Sequence, residues 1–168
     1  RHAPNAIYVI VANPVDVLTY VFCKVTGLPK GQVLGSGTIL DTIRLRTRLS
    51  ELYSINQKQV HAYVLGEHGD SSFVPWSCAQ IASVKLEDYR KGLNYRDHVY
   101  PEFSYDEIEQ YMRTSGAKII GRKGATFYAI AISVCHIVEV LFGSTNTVMT
   151  VSSMMHGEYG LDDVCLSI

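Results

Sequence analysis

A single histidine stands between two glycines in the stretch Gly66-Glu67-His68-Gly69-Asp70, with a carboxylate on either side. Imidazole is the side chain whose ordinary pKa lets it both give and take a proton near neutrality, and flanking glycines let backbone and ligand approach closely. Proton transfer is the chemistry this stretch suits, provided that partners elsewhere in the chain support it. Taken by itself, a histidine is more often a surface or satisfied core residue.

Asp41 and Arg44 are three residues apart in a segment that reads as helix, so they share one face. A carboxylate there can hydrogen-bond the imidazole of His68, fix its tautomer and favour its charged form. Arg44 offers a planar fork of donors that suits a substrate carboxylate. Without further support the two read as an ordinary ion pair on a helix. Asn13-Pro14-Val15-Asp16 falls at the carboxyl end of a predicted strand, where open α/β sheets bind ligands, although the same residues also suit a plain helix start. Gly35-Ser36-Gly37 lies at a strand-to-helix junction, but Leu40 occupies the place of the third glycine in a dinucleotide loop, and a tight turn accounts for it better. Ser71 and Ser72 lack the G-x-S-x-G context of a hydrolase nucleophile. Glu67, His68 and Asp70 lack the H-E-x-x-H spacing and a second nearby histidine, so no metal is expected.

The elements that must position these residues follow from apolar patterning. Residues 6–11 form a continuous β-branched run ended by Asn13-Pro14. A helix beginning at Asn13 or Asp16 runs through Cys23 and is closed by Gly27. A short strand at 32–34 and a long helix over 38–54 complete a strand-helix-strand-helix series, which implies a parallel α/β unit. Residues 60–65 read as a strand delivering the His68 motif, and 73–84 as mixed strand and helix. The polar, tyrosine-rich stretch 89–101 lacks apolar periodicity and reads as loop. Helices are expected over 106–121 and 125–142, then an antiparallel hairpin from strands near 147–155 and 163–168, joined by Gly157-Glu158-Tyr159-Gly160.

Composition narrows the function classes. The 168 residues are 47% hydrophobic and 18% charged, enough for a substantial core. A net charge of -1 with no basic cluster argues against a nucleic-acid partner. Four cysteines without a C-x-x-C pair read as reduced thiols of a cytoplasmic protein. The opening residues do not form a signal peptide, and the longest apolar region, 125–142, is interrupted by Ser133, His136 and Glu139, so neither secretion nor a membrane partner is expected. The chain opens in one strand-like run and stops inside another, which is the pattern of a fragment.

Taken together, Val11-Ala12-Asn13-Pro14-Val15-Asp16, Gly35-Ser36-Gly37-Thr38 with Leu40-Asp41 and Arg44, Gly66-Glu67-His68-Gly69-Asp70, and Lys123-Gly124-Ala125-Thr126 resemble, in order and spacing, the L-lactate dehydrogenase branch of the lactate/malate dehydrogenase family, bacterial type. The resemblance runs from about residue 5 to the end. It implies the end of a Rossmann-type nucleotide-binding domain (residues 1–36) followed by a mixed α+β substrate domain (residues 37–168), both incomplete. It implies an NAD-dependent oxidoreductase of glycolytic fermentation that interconverts lactate and pyruvate. Malate dehydrogenase is the close alternative, and a non-catalytic fragment the alternative of another class.

By position, the resemblance makes His68 the acid/base and Asp41 its orienting carboxylate. Arg44 then grips the substrate carboxylate, with Asn13, Asp16 and Thr126 also at the substrate. Val11, Ala12, Asn13 and Ser36 line the cofactor. Arg46 and His61 resemble the pair that binds fructose 1,6-bisphosphate in many bacterial members, which are allosteric homotetramers. The chain departs from the family in lacking a complete Gly-rich loop, the mobile loop with a second catalytic arginine, and the closing helix.

Overall fold

The computed structural model describes residues 3–93, 102–143 and 146–168. The chain divides into two compact units, one made of Arg1–Leu40, Leu65–Ser72 and Phe127–Ile168, the other of Asp41–Val64 and Phe73–Thr126. Helices and strands are mixed in both, as the α/β reading requires.

In the first unit, β1 (Tyr8–Ile10) pairs in parallel with β2 (Val33–Gly35), Tyr8 facing Val33 and Ile10 facing Gly35. The helix between them, α1 (Val15–Thr26), makes this the expected parallel strand-helix-strand unit. It begins at Val15 after Pro14. Asp16 lies in its first turn, where the helix dipole favours a carboxylate. Its end is the one anticipated: Gly27 takes the left-handed conformation, φ +61°, and its N–H donates to the carbonyl of Cys23 at 2.9 Å. Val15, Asp16 and Thr19 form the buried stripe of α1.

Two further strands, β6 (Ser152–His156) and β7 (Asp162–Ser167), form the expected antiparallel hairpin and extend the sheet to the order β1-β2-β6-β7. Gly35 joins β2 to β6 opposite Ser152. A Cβ at Gly35 would lie 3.0 Å from the Cβ of Ser152 and 3.1 Å from Val15 Cγ2, so the missing side chain is what lets α1 and β6 close on β2. The last helix of the chain, α5 (Tyr128–Phe142), buries Ser133 and Ile137 completely.

The second unit holds most of α2 (Ile39–Tyr53), whose Leu45 and Leu49 are fully buried. They enter a core with Val60, Ala62, Val64, Ile81, Leu86, Ile108 and Met112. Three short strands, β3 (Val60–His61), β4 (Gln80–Ile81) and β5 (Val84–Lys85), pair antiparallel, and the helices α3 (Leu86–Leu93) and α4 (Tyr105–Lys123) follow. A capping box starts α4: Ser104 Oγ accepts the Glu107 N–H at 3.1 Å, and Glu107 Oε2 accepts the Ser104 N–H at 2.9 Å.

Two expectations need correction here. The strand read over 60–65 forms a ladder at Val60 and His61 and an isolated bridge at Leu65; between them Ala62 and Val64 keep the inward alternation, but the Val64 N–H goes to Thr42 Oγ1 at 2.9 Å instead of to a strand. The loop read over 89–101 is helical as far as Leu93. Among its described side chains Leu86 is buried and Tyr89 half-buried, the latter meeting Tyr53 edge-on at 5.5 Å, while Glu87, Asp88, Arg90 and Lys91 make the stretch read as polar. Residues 94–101 of that expectation lie outside the described residues.

Candidate functional site

The first unit brings the ligand-facing end of β1, the start of α1 and the His68 loop together. Val11, Ala12 and Asn13 follow β1 at the carboxyl ends of two parallel strands and are all exposed. Ser36 is 4% exposed, and its N–H donates to the carbonyl of Ile10 at 2.8 Å, tying the end of β2 to the end of β1.

Residues 65–72 carry His68 and are anchored at two points. Gly66 and Ser167 exchange both backbone hydrogen bonds, at 2.9 and 3.0 Å, as an isolated antiparallel bridge to β7. At His68 itself the backbone N–H donates to Asp16 Oδ2 at 2.7 Å. A turn follows, with Gly69 N–H on the Glu67 carbonyl at 2.9 Å and Ser72 N–H on the Gly69 carbonyl at 3.2 Å. His68 is half-buried.

The glycines of Gly35-Ser36-Gly37 make room for protein rather than for phosphate. A Cβ on Gly37, which has φ +51°, would collide with Ser167 Oγ and stand 2.5 Å from the Ser152 nitrogen. The same Ser167 Oγ accepts the Thr38 N–H at 3.0 Å. This matches the tight-turn reading. Ser71 Oγ donates to Glu67 Oε2, which is no nucleophile's arrangement, and among the described residues no group of three His, Cys, Asp or Glu could hold a metal.

In the second unit, Asp41 and Arg44 form the helical pair expected from their spacing, with Arg44 Nη1 donating to Asp41 Oδ1 at 3.1 Å. Arg46 donates through Nε to the carbonyl of Ala62 at 2.9 Å and lies over the Tyr63 ring at 4.7 Å. The residue whose carbonyl it binds directly follows exposed His61. Thr126 is half-buried in the short connection that follows α4.

Sequence patterning missed the contributions of Ser167, Thr42 and the Asp16 carboxylate to backbone positioning. Serine, threonine and aspartate give no apolar signal, and the partners of Ser167 and Asp16 are 129 and 52 positions away.

The chain is of the α/β class, with a glycine-framed histidine pinned through its own backbone. Residues 38–168 match the lactate/malate dehydrogenase alpha/beta C-terminal domain, and residues 1–35 match the lactate/malate dehydrogenase NAD-binding domain. The chain belongs to the lactate/malate dehydrogenase family. It is 43% identical over 168 residues to a protein named L-lactate dehydrogenase from Acetivibrio thermocellus, matching all of this chain and 52% of that one. A Synechococcus protein of the same name is 44% identical over 171 residues, with 53% of it covered.

Among solved structures, an L-lactate dehydrogenase from Clostridium thermocellum superposes with TM-score 0.83 at 43% identity, over 96% of this chain and 51% of that chain. A lactate dehydrogenase from a deep-sea metagenome library gives TM-score 0.89 at 38% identity, over 98% and 51%. The chain thus spans about half the length of the relatives it matches.

The first unit can be tested for its fit to a nicotinamide dinucleotide. Val11, Ala12 and Asn13 offer an apolar surface, open backbone and an amide that both donates and accepts, exposed at the carboxyl end of a parallel strand. These suit one end of the cofactor. Ser36 is buried and its backbone N–H is bound to the Ile10 carbonyl.

Proposed function

We propose that the whole protein interconverts L-lactate and pyruvate with NAD. The reading is carried by His68, held on a glycine-framed loop by Asp16 and Ser167, in a chain similar throughout its length to proteins named L-lactate dehydrogenase. When bound, NAD supplies or accepts the hydride. Val11, Ala12, Asn13 and Ser36 would line its site.

His68, protonated, donates to the ketone oxygen of pyruvate and neutralises the alkoxide that develops there; in reverse it takes the hydroxyl proton of lactate. Asp41 has the orienting role given it in the family. Arg44 binds the substrate carboxylate through its fork, and Asn13 hydrogen-bonds the substrate oxygen. Fixing both ends of a small 2-oxo acid presents one face for transfer. Thr126 lines the substrate pocket.

Lactate is favoured over malate by Thr38, Thr126 and the Arg46/His61 pair, which we assign to fructose 1,6-bisphosphate. A cytoplasmic homotetramer of glycolytic fermentation is the matching setting. The deciding experiment compares steady-state rates of the full-length protein with pyruvate and with oxaloacetate, using NADH. Preference for pyruvate is expected; a large preference for oxaloacetate would overturn the assignment in favour of malate.

A further inference from the structure

Asp16 is more deeply enclosed than a helix start requires. Asp106, in the first turn of α4, is exposed to water, whereas Asp16 in the first turn of α1 is only 7% exposed. Its Oδ2 accepts the His68 N–H at 2.7 Å. Its Oδ1 is buried and has no hydrogen-bond partner among the described residues. Burying an oxygen without a partner forfeits hydration, so the position is costly unless the other oxygen does something the fold or the chemistry needs.

We infer that Asp16 is a positioning residue for the reaction, holding the backbone at His68 so that the imidazole is presented for proton transfer. The inference rests on the acid/base role proposed for His68. Only Glu67 separates this anchor from the Gly66–Ser167 bridge, so the path of the chain into His68 is fixed at two closely spaced points. A hydrogen bond to a charged acceptor is among the stronger ones available for such a task. The helix turn that carries Asp16 also follows directly from Asn13, so one rigid element sets both the proton donor and the residue assigned to the substrate oxygen. A carboxylate repels an anionic 2-oxo acid and can donate nothing to it. Asp16 therefore acts through His68 rather than on the substrate, which revises the substrate-binding role expected from the resemblance.

The test uses the full-length enzyme with pyruvate and NADH. Asp16→Ala is expected to lower kcat roughly tenfold to a hundredfold, the loss of one hydrogen bond to a charged group. Pyruvate KM and NADH affinity should stay near the parent values, while the solvent deuterium isotope effect on kcat grows as proton transfer becomes limiting. Asp16→Asn keeps an oxygen acceptor at the same place and should recover most of the turnover, with a smaller isotope effect. Asp16→Leu, branched at the same carbon but without an acceptor, should resemble the alanine variant.

A folded Asp16→Ala enzyme with parental kcat and isotope effect overturns the positioning role, even if its Tm falls. Should the alanine and leucine variants not fold, Asp16→Glu displaces the acceptor by one methylene; parental kcat and isotope effect in that variant would overturn the role as well. A parent enzyme without pyruvate turnover would instead overturn the dehydrogenase reading itself.

Discussion

Nη1 of Arg44 donates to Oδ1 of Asp41 at 3.1 Å within one turn of α2, and the two side chains are only 16% and 11% exposed. A guanidinium carries its donors in a rigid plane, so pairing one edge with Asp41 fixes the direction of the others. This is the difference between a charge that attracts a carboxylate and a fork that orients it.

Arg44→Lys keeps the charge and loses the fork. If Arg44 binds the substrate carboxylate, pyruvate KM should rise by about tenfold or more, the value of one to two charged hydrogen bonds. NADH affinity, read by fluorescence titration, should hold. An unaltered KM in the lysine variant would remove Arg44 from substrate recognition.

Gly37→Ala tests the packing reading of the Gly35-Ser36-Gly37 segment. The added methyl would meet Ser167 Oγ and the Ser152 nitrogen at a backbone φ of +51°, so strain and overpacking combine. A loss of about 1–3 kcal/mol in urea unfolding is expected. A glycine that served only to admit a phosphate would still cost about 1 kcal/mol when replaced, because φ +51° strains any side chain, so it is a loss beyond that which reports overpacking in the alanine variant. Its unchanged unfolding midpoint would sink the packing account.

Local signals carried much of this fold, and long-range ones little. Gly27 closes α1 where its position said it would, and the three-residue spacing of Asp41 and Arg44 became an ion pair because helix geometry leaves no other arrangement. The alternation of Val60, Ala62 and Val64 was a true statement about burial but not about pairing, since Thr42 supplies the hydrogen bond that a strand would have. Helix α3 escaped notice because its short sequence is mostly polar, with Glu87, Asp88, Arg90 and Lys91 between its apolar residues. The bond from the His68 backbone to Asp16 spans 52 positions and joins a helix start to a loop, a relation that no period in the sequence encodes. Candidate chemistry was legible as residue types; what holds it in place was not.

The cysteines supply a prediction about pH. Burial, with Cys23 nearby, pushes the Cys165 thiol up from 9.0 to about 12 in the folded chain, while Cys78 and Cys135 are exposed. A thiol whose folded pKa is raised stabilises the fold fully below its unfolded value of 9.0, and that contribution disappears as pH climbs toward 12. The stability gap between the parent and Cys165→Ala should therefore narrow on the alkaline side of 9.0. Thiolate is the reactive form, so a disulfide reagent near neutrality should label Cys78 and Cys135 quickly and Cys165 only on unfolding. Rapid labelling of Cys165 in the native protein would contradict its burial.

Arg46 offers the last test, of the assigned effector. Its Nε is committed to the Ala62 carbonyl at 2.9 Å and its plane lies 4.7 Å over the Tyr63 ring, so the two terminal nitrogens are held in a set direction without being used up by the backbone contact. A phosphate recognised there gains from a cation that has already lost its side-chain freedom. In the full-length enzyme, Arg46→Gln should abolish activation by fructose 1,6-bisphosphate. Tyr63→Leu should raise the half-activating concentration by roughly twofold to fivefold, the value of an exposed cation–π contact, without abolishing the response. The order of these two effects is the point: an effector that binds elsewhere would leave both variants activated at the parental concentration.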